Sequence, residues 1–374
     1  MRVPFFMHDL GEAELANIAE VFKSPILTTG EWVARFENEF AAYLGVPHAL
    51  GTTSCTGALH MVLLALGIGP GDEVITTPMT FIATAAAIQE AGARSVFVDV
   101  EPDSGNLDAA QVEAAITPRT RAILAVHLYG LMCDMRRLRA IADRHGLALI
   151  EDAAHCIEGE RDGVKPGQLS EAACFSFFAT KNMTCGEGGA LVCRDSGLYE
   201  TLKKLRLHGM TKTASDRYRE GYQHWDMTML GWKYNMDNIQ AAMLLPQMQR
   251  LEANRIKREK LAERYRRQLG TVPELLLPAR RPNSRHAHHL FPVRVGGERR
   301  DALIAYLQAK DIGSTVNYRA IHLLSHFQDT LGYPKGSFPT AERMGDETLS
   351  LPLYPTMPLD HVDRVVEALG AFFH

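Results

Sequence analysis

Leu147-Ala148-Leu149-Ile150-Glu151-Asp152-Ala153-Ala154-His155 is the stretch that decides the fold: a short apolar run ends in two carboxylates and passes into small residues. Such a run suits a strand buried on both faces, and in open α/β sheets ligands gather where strands end at their carboxyl edge. Working outward, further strand candidates lie at Glu73–Thr76, Ser95–Val98 and Ala122–Val126. Helical patterns at 57–67, 80–91, 108–116 and 134–145 fall between them. Strands alternating with helices predict a mainly parallel sheet with both faces covered. Cys174–Phe177 and Ala190–Cys193 follow too closely for a crossover helix, which leaves room for an antiparallel strand.

Residues 12–24 and 31–45 read as amphipathic helices around a turn at Leu27-Thr28-Thr29-Gly30. After Cys193 come a polar segment at 208–232 and a long helical pattern from Asp237 to about Gln268, with a kink expected near Pro246. The remainder suggests a smaller α+β unit: a strand at Leu290–Val295 and helices at 299–310 and 359–372. The expected division is a large α/β domain over 1–245 and a linking helix with a small domain over 246–374.

Composition narrows the function. The 374 residues are 46% hydrophobic and 22% charged, with a formal net charge of −4 and both signs interspersed. That is ordinary globular composition without the electrostatic footprint of a nucleic-acid binder. No stretch approaches the length of a membrane span, and the opening residues lack the pattern of a signal peptide. Six cysteines lie scattered with no Cys-x-x-Cys pair, so reduced thiols, no metal site and a cytoplasmic setting are expected.

Three segments carry chemistry. Gly51-Thr52-Thr53-Ser54-Cys55-Thr56-Gly57 opens a helix, where exposed N–H groups and small hydroxyls form an anion site or simply a cap. Asp152, at a strand end, either caps the next helix or keeps a heterocyclic nitrogen protonated. Lys181 stands in Ser176-Phe177-Phe178-Ala179-Thr180-Lys181-Asn182, just before Gly186-Glu187-Gly188-Gly189. At the edge of a sheet its amine can form a Schiff base and move a proton; elsewhere it is solvated surface.

The order of anion cradle, aspartate and lysine resembles the fold-type I enzymes of pyridoxal 5′-phosphate (PLP). The match extends along nearly the whole chain to the DegT/DnrJ/EryC1/StrS family of sugar aminotransferases. It rests on Phe36-Glu37 with Ala41–Val46, GTTSCTGALH, GDEVITTPMTFIATAAAI, VHLYG, EDAAH, FSFFATKNMTCGEGG, LHG and GWKYNMDNIQAA. The resemblance implies an α/β, fold-type I large domain with a mainly parallel seven-stranded sheet and a smaller C-terminal α+β domain. It makes Lys181 the imine lysine and Asp152 the partner of the pyridinium nitrogen. Ser54, Cys55, Thr56 and Ser176 would bind the phosphate, Phe81 would stack on the ring, and His155 would contact its phenolic oxygen. Asn235 would reach the phosphate of a partner subunit's cofactor, which implies a homodimer with active sites at the subunit interface. Thr29, Lys233, Tyr318 and His322 are substrate candidates by the same resemblance.

The expected activity is transfer of an amino group from L-glutamate to a nucleotide-linked keto-sugar, with GWKYN and KNMTCGEGG closest to enzymes acting on UDP-linked 4-keto sugars. Two alternatives stay open: amination of a free cyclitol or other small ketone, and a non-catalytic sensor on the same fold. Sugar dehydration, in which a histidine replaces the lysine, is opposed by Lys181 itself.

Overall fold

The computed structural model describes residues 2–211 and 224–373, so 212–223 of the polar segment lie outside the described residues. The first part of the chain runs α1 (Glu12–Val21), α2 (Glu31–Leu44), β1 (His48–Thr52), α3 (Cys55–Ala65), β2 (Glu73–Thr76), α4 (Ile82–Glu90) and β3 (Arg94–Phe97). It continues through β4 (Thr120–Val126), α5 (Met135–His145), β5 (Ala148–Asp152), β6 (Glu160–Arg161), β7 (Ala172–Ser176), β8 (Gly189–Cys193) and α6 (Ser196–Leu205). Seven of these strands form one sheet in the order β1-β8-β7-β5-β4-β2-β3. Only β8 is antiparallel to its neighbours, β1 and β7. The expected antiparallel element is therefore β8.

Two-residue alternation divides the sheet between two buried layers. Leu124 and Val126 of β4 join Ile150, Cys174 and Leu191 beneath α3, while Ile123 and Ala125 join Leu149 and Ile141 on the other face. Further along that second face, α2 presents Val33, Phe36, Phe40 and Leu44 at helical spacing. Phe40 meets Phe175 edge-on at 5.0 Å, and Phe36 meets Phe177 at 5.5 Å. Gly45, with φ of 70°, ends α2 in the left-handed conformation that glycine adopts at least cost.

The helix expected at 108–116 is replaced by turns and one short 3-10 turn, Glu113–Ala115. Its apolar residues Ala109 and Val112 are buried as a helix would bury them. The Asp108 side chain, however, accepts the N–H of Ala110 at 2.9 Å and so competes with the first helical turn.

One helix, α7 (Asn238–Leu269), links the two cores, and Asp237 caps it in a capping box with Gln240. Pro246 interrupts its hydrogen-bond ladder but not the helix. Proline cannot serve the carbonyl of Ala242, which instead accepts Nδ2 of Asn17 from α1 at 3.1 Å. The early part of α7 packs Leu244, Leu245 and Leu251 against the large sheet. Its late part packs Leu261, Tyr265 and Leu269 into a second core. A division at 245/246 thus falls inside this helix.

The second core rests on a small sheet of β9 (Leu275–Leu276), β11 (Phe291–Val295) and β12 (Thr348–Leu351), between which β10 (Ser284–Arg285) pairs with β6. Helices α8 (Arg300–Ala309), α9 (Ser325–Leu331), α10 (Pro339–Glu347) and α11 (Leu359–Phe373) complete the chain. Val3, near the start of the chain, belongs to this second core: its N–H donates to Asp311 and its carbonyl accepts from Gly313. Among the described residues no helix is long and apolar enough to cross a membrane.

Candidate active site

β1, β5 and β7 end at one edge of the sheet, and β8, running the opposite way, begins there. This common edge gathers Ser54, Cys55, Thr56, Phe81, Asp152, His155, Ser176, Lys181 and Tyr318 around a cavity of about 290 Å³. A wider groove of about 760 Å³ runs along the second half of α7 and shares none of these residues. Its arginines are largely engaged by carboxylates, Arg264 by Asp363 at 2.6 Å and Arg281 by Asp103 at 2.6 Å.

The anion cradle is the start of α3. Ser54 has an extended backbone and caps the helix by accepting the N–H of Gly57 at 3.0 Å. The N–H groups of Cys55 and Thr56 precede the first intrahelical acceptor, so they remain free for an anion. A Cβ placed on Gly189 would lie 2.5 Å from the nitrogen of Cys55, so only glycine lets β8 approach this turn so closely. Ser176 ends β7 beside it and accepts the N–H of Phe178 at 3.3 Å.

Of the two carboxylates ending β5, alternation sends one to each face. Glu151 points into the second layer, where His127, Ser170 and the N–H of Gly167 satisfy it at 2.6, 2.5 and 2.8 Å. Asp152 faces the cavity and is buried. Thr84 donates to its Oδ2 at 2.7 Å, the Ala154 N–H to its Oδ1 at 3.1 Å, and the Cys55 thiol lies 3.9 Å from Oδ1. The Thr84 hydroxyl is itself 2.8 Å from that of Thr80. Since its only proton goes to Asp152, it accepts from Thr80, and the two threonines form a polarised pair aimed at the carboxylate.

Lys181 lies in the turn between β7 and β8. Burial lowers its pKa from 10.5 to about 8, against the opposing pull of Asp152 and Cys55. A lysine so placed supplies a neutral amine near physiological pH. His155 is kept neutral by burial and by the nearby Lys181. Its Nδ1 accepts the N–H of Tyr129 at 3.2 Å, so its proton is on Nε2 and points to the Tyr318 hydroxyl, 3.1 Å away.

Phe81 sits at the mouth with just over half of its surface exposed (53%), its ring 5.7 Å from that of Tyr318. Asn235, Lys233 and Thr29 form a separate group outside the cavity wall. Residues 234–236 extend the sheet along β1, and the Asn235 amide donates to Thr29 at 2.7 Å while accepting from Lys233. His322 stands apart from both groups: it is fully buried, with Nε2 2.9 Å from Glu342. In this chain it meets helix α10 and not the cavity. Thr80, Thr84, Asn182 and His289 were not singled out from sequence, although Thr80 and Thr84 are one helical turn apart and follow the same strand.

This donor set suits PLP. The open N–H groups and hydroxyls accept a phosphate, Asp152 accepts a pyridinium N–H, and Lys181 offers an amine of low pKa in the same cavity. Among the described residues no group of His, Cys, Asp and Glu is placed to hold a metal ion.

Comparison with known proteins agrees. The model of the DegT/DnrJ/EryC1/StrS aminotransferase family matches residues 8–370. The spore coat polysaccharide biosynthesis protein SpsC of Bacillus subtilis is 40% identical over 373 residues, covering 98% of this chain and 96% of that protein. DesV of S. venezuelae superposes with a TM-score of 0.93 at 38% identity, covering 100% of this chain and 99% of the other. Spr1654 of Streptococcus pneumoniae, a putative sugar aminotransferase solved in PLP and PMP forms, superposes with a TM-score of 0.93 at 28% identity, covering 99% and 98%. With the sheet, the cavity and the sequence in agreement over nearly its full length, this chain is a PLP-dependent transaminase and belongs to the DegT/DnrJ/EryC1/StrS aminotransferase family.

Proposed function

We propose that the enzyme moves an amino group from L-glutamate to the carbonyl carbon of a nucleotide-linked keto-sugar, of the UDP-4-keto type, and works as a homodimer. The observation that carries the chemistry is the placement of Lys181, with its pKa lowered to about 8, in the same cavity as Asp152. When bound, PLP supplies an aldehyde that captures amino groups and a protonated ring that accepts the electron pair left on carbon.

The chain's own residues do the rest. The start of α3 and Ser176 would hold the phosphate, and Asp152 would hold the proton on the ring nitrogen, with Thr84 and Ala154 fixing the carboxylate. Lys181, with its amine free, would take the proton from the donor's Cα and hold it in the cavity for its return. Water completes release of the 2-oxo acid. The same steps in reverse aminate the sugar carbon, which makes the kinetics ping-pong.

The sugar substrate is supported by the relative in spore coat polysaccharide biosynthesis and by the sugar aminotransferase among the structural neighbours. The interface role of Asn235 is supported by its place outside its own chain's cavity wall, on the edge extending β1. Incubation of the holoenzyme with 15N-labelled L-glutamate and a panel of nucleotide keto-sugars and free cyclitol ketones tests this reading, with mass spectrometry following the label. Label in a UDP-linked amino sugar together with 2-oxoglutarate is the expected result. Label only in a free cyclitol would overturn the substrate assignment.

A further inference from the structure

Behind the cavity wall lies a hydrogen-bonded chain that the reaction scheme does not use. Arg258, 1% exposed, pairs with Glu158, fully buried, although neither lines the cofactor cavity. Glu158 Oε2 accepts Nδ2 of Asn182 at 2.9 Å, and the same amide nitrogen donates to the Ala287 carbonyl at 3.1 Å. Both amide protons of Asn182 are thereby committed, and its orientation follows. Its Oδ1 must face His289 Nδ1, 3.3 Å away, and can only accept. The proton on the His289 ring is therefore on Nδ1.

His289 is buried to more than nine-tenths and lines the cavity with Lys181. Its ring lies 4.4 Å from that of His155 at a tilt of 37°. The two facing imidazoles carry opposite tautomers, since His155 keeps its proton on Nε2 for Tyr318. Burial, followed by His155 and Lys181, disfavours a charged His289. Its Nε2 has no protein donor among the described residues.

We propose that Asn182, anchored on the Glu158–Arg258 pair, is a positioning residue that locks His289 as the Nδ1–H tautomer, so that Nε2 accepts a hydrogen bond from the Lys181 amine whenever that amine is free. The acceptor fixes which way the lysine lone pair points as it takes up and delivers the proton. The inference rests on the proposed role of Lys181, but the tautomer itself is independent of which ketone is the substrate.

The test uses holoenzyme labelled with 15N in its histidine rings. NMR of the wild type should show a neutral Nδ1–H ring that disappears in His289→Gln. In Asn182→Ala that ring should shift to the Nε2–H form or to an average of the two. The first half-reaction with L-glutamate should slow about tenfold in both variants, the scale of one lost hydrogen bond, with cofactor content and KM near wild type. A wild-type His289 with its proton on Nε2 would overturn the proposal, as would an unchanged tautomer in Asn182→Ala or a wild-type half-reaction in His289→Gln. If Asn182→Ala does not fold, the wild-type spectrum and the His289→Gln rate still decide it. A wild-type enzyme that completes the glutamate half-reaction but aminates no nucleotide keto-sugar would instead count against the substrate assignment alone.

Discussion

Thr84→Val removes one oxygen behind Asp152 while leaving the shape of the side chain almost unchanged. Thr84 is fully buried and donates to Asp152 Oδ2 at 2.7 Å. A hydrogen bond to a charged group contributes about 1.5–3 kcal/mol. Asp152 keeps the Ala154 N–H at 3.1 Å, so the carboxylate stays in place but is held on one oxygen only. If the whole loss reaches the transition state, the first half-reaction slows roughly ten- to a hundredfold at about 1.4 kcal/mol per tenfold. The hydroxyl of Thr80 also loses its acceptor, which adds to the cost. Stopped-flow absorbance with L-glutamate measures the half-reaction, equilibrium dialysis measures cofactor retention, and circular dichroism checks the fold. Thr84→Ser, which keeps the donor, should restore most of the rate. A folded Thr84→Val within twofold of wild type in both rate and cofactor retention would refute the idea that this threonine positions Asp152.

Lys181→Ala should retain PLP through the phosphate and ring contacts yet lose turnover by several orders of magnitude; near-normal turnover would remove Lys181 from the mechanism. In the apoenzyme, the rate at which added PLP attaches to Lys181 should rise with pH and reach half its maximum near 8 instead of 10.5. Because the fold depresses this lysine's pKa, the unfolded chain binds the extra proton between those values. Lys181 should therefore make apoenzyme stability rise as pH climbs from about 8 to 10.5, measured as Tm against a Lys181→Met control. Mixing Lys181→Ala with Asn235→Asp under subunit exchange should restore activity that neither variant has alone, since one site of each mixed dimer escapes both lesions; no recovery with exchange confirmed places both residues in the same chain's site. Asn17→Ala should leave catalysis unchanged and cost about 1–2 kcal/mol in denaturant unfolding, because the Ala242 carbonyl, which Pro246 cannot serve, loses the Asn17 amide; unchanged stability would mean that solvent replaces Asn17.

The sheet was legible because β4 and β5 carry the continuous apolar runs Ala122–Val126 and Leu147–Ile150, a pattern that two-sided burial imposes directly. β1 was not among the strand candidates: His48-Ala49-Leu50-Gly51-Thr52 is short and carries small residues that let residues 234–236 lie beside it. The segment at 108–116 misled because burial of Ala109 and Val112 marks where side chains point and says nothing of the backbone bonds, which Asp108 diverts. Asp152 and Lys181 could be read because each follows a strand within a recognisable motif. His289 could not, since it comes from a loop 107 residues beyond Asn182, and only the folded chain brings the two together.

The attachment of Val3 beside Ile312 has a mechanical consequence. The second core is tied to the sheet layer by two chain spans, α7 and residues 4–11 of the amino-terminal stretch, and by contacts between them: β10 on β6, the Ile321 N–H on the Pro78 carbonyl at 2.8 Å, and the N–H groups of Thr340 and Ala341 on Asp99. A joint fastened at several separated points resists both swing and twist, so Tyr318 from the second half of the chain is braced opposite Phe81 from the first across the cavity mouth.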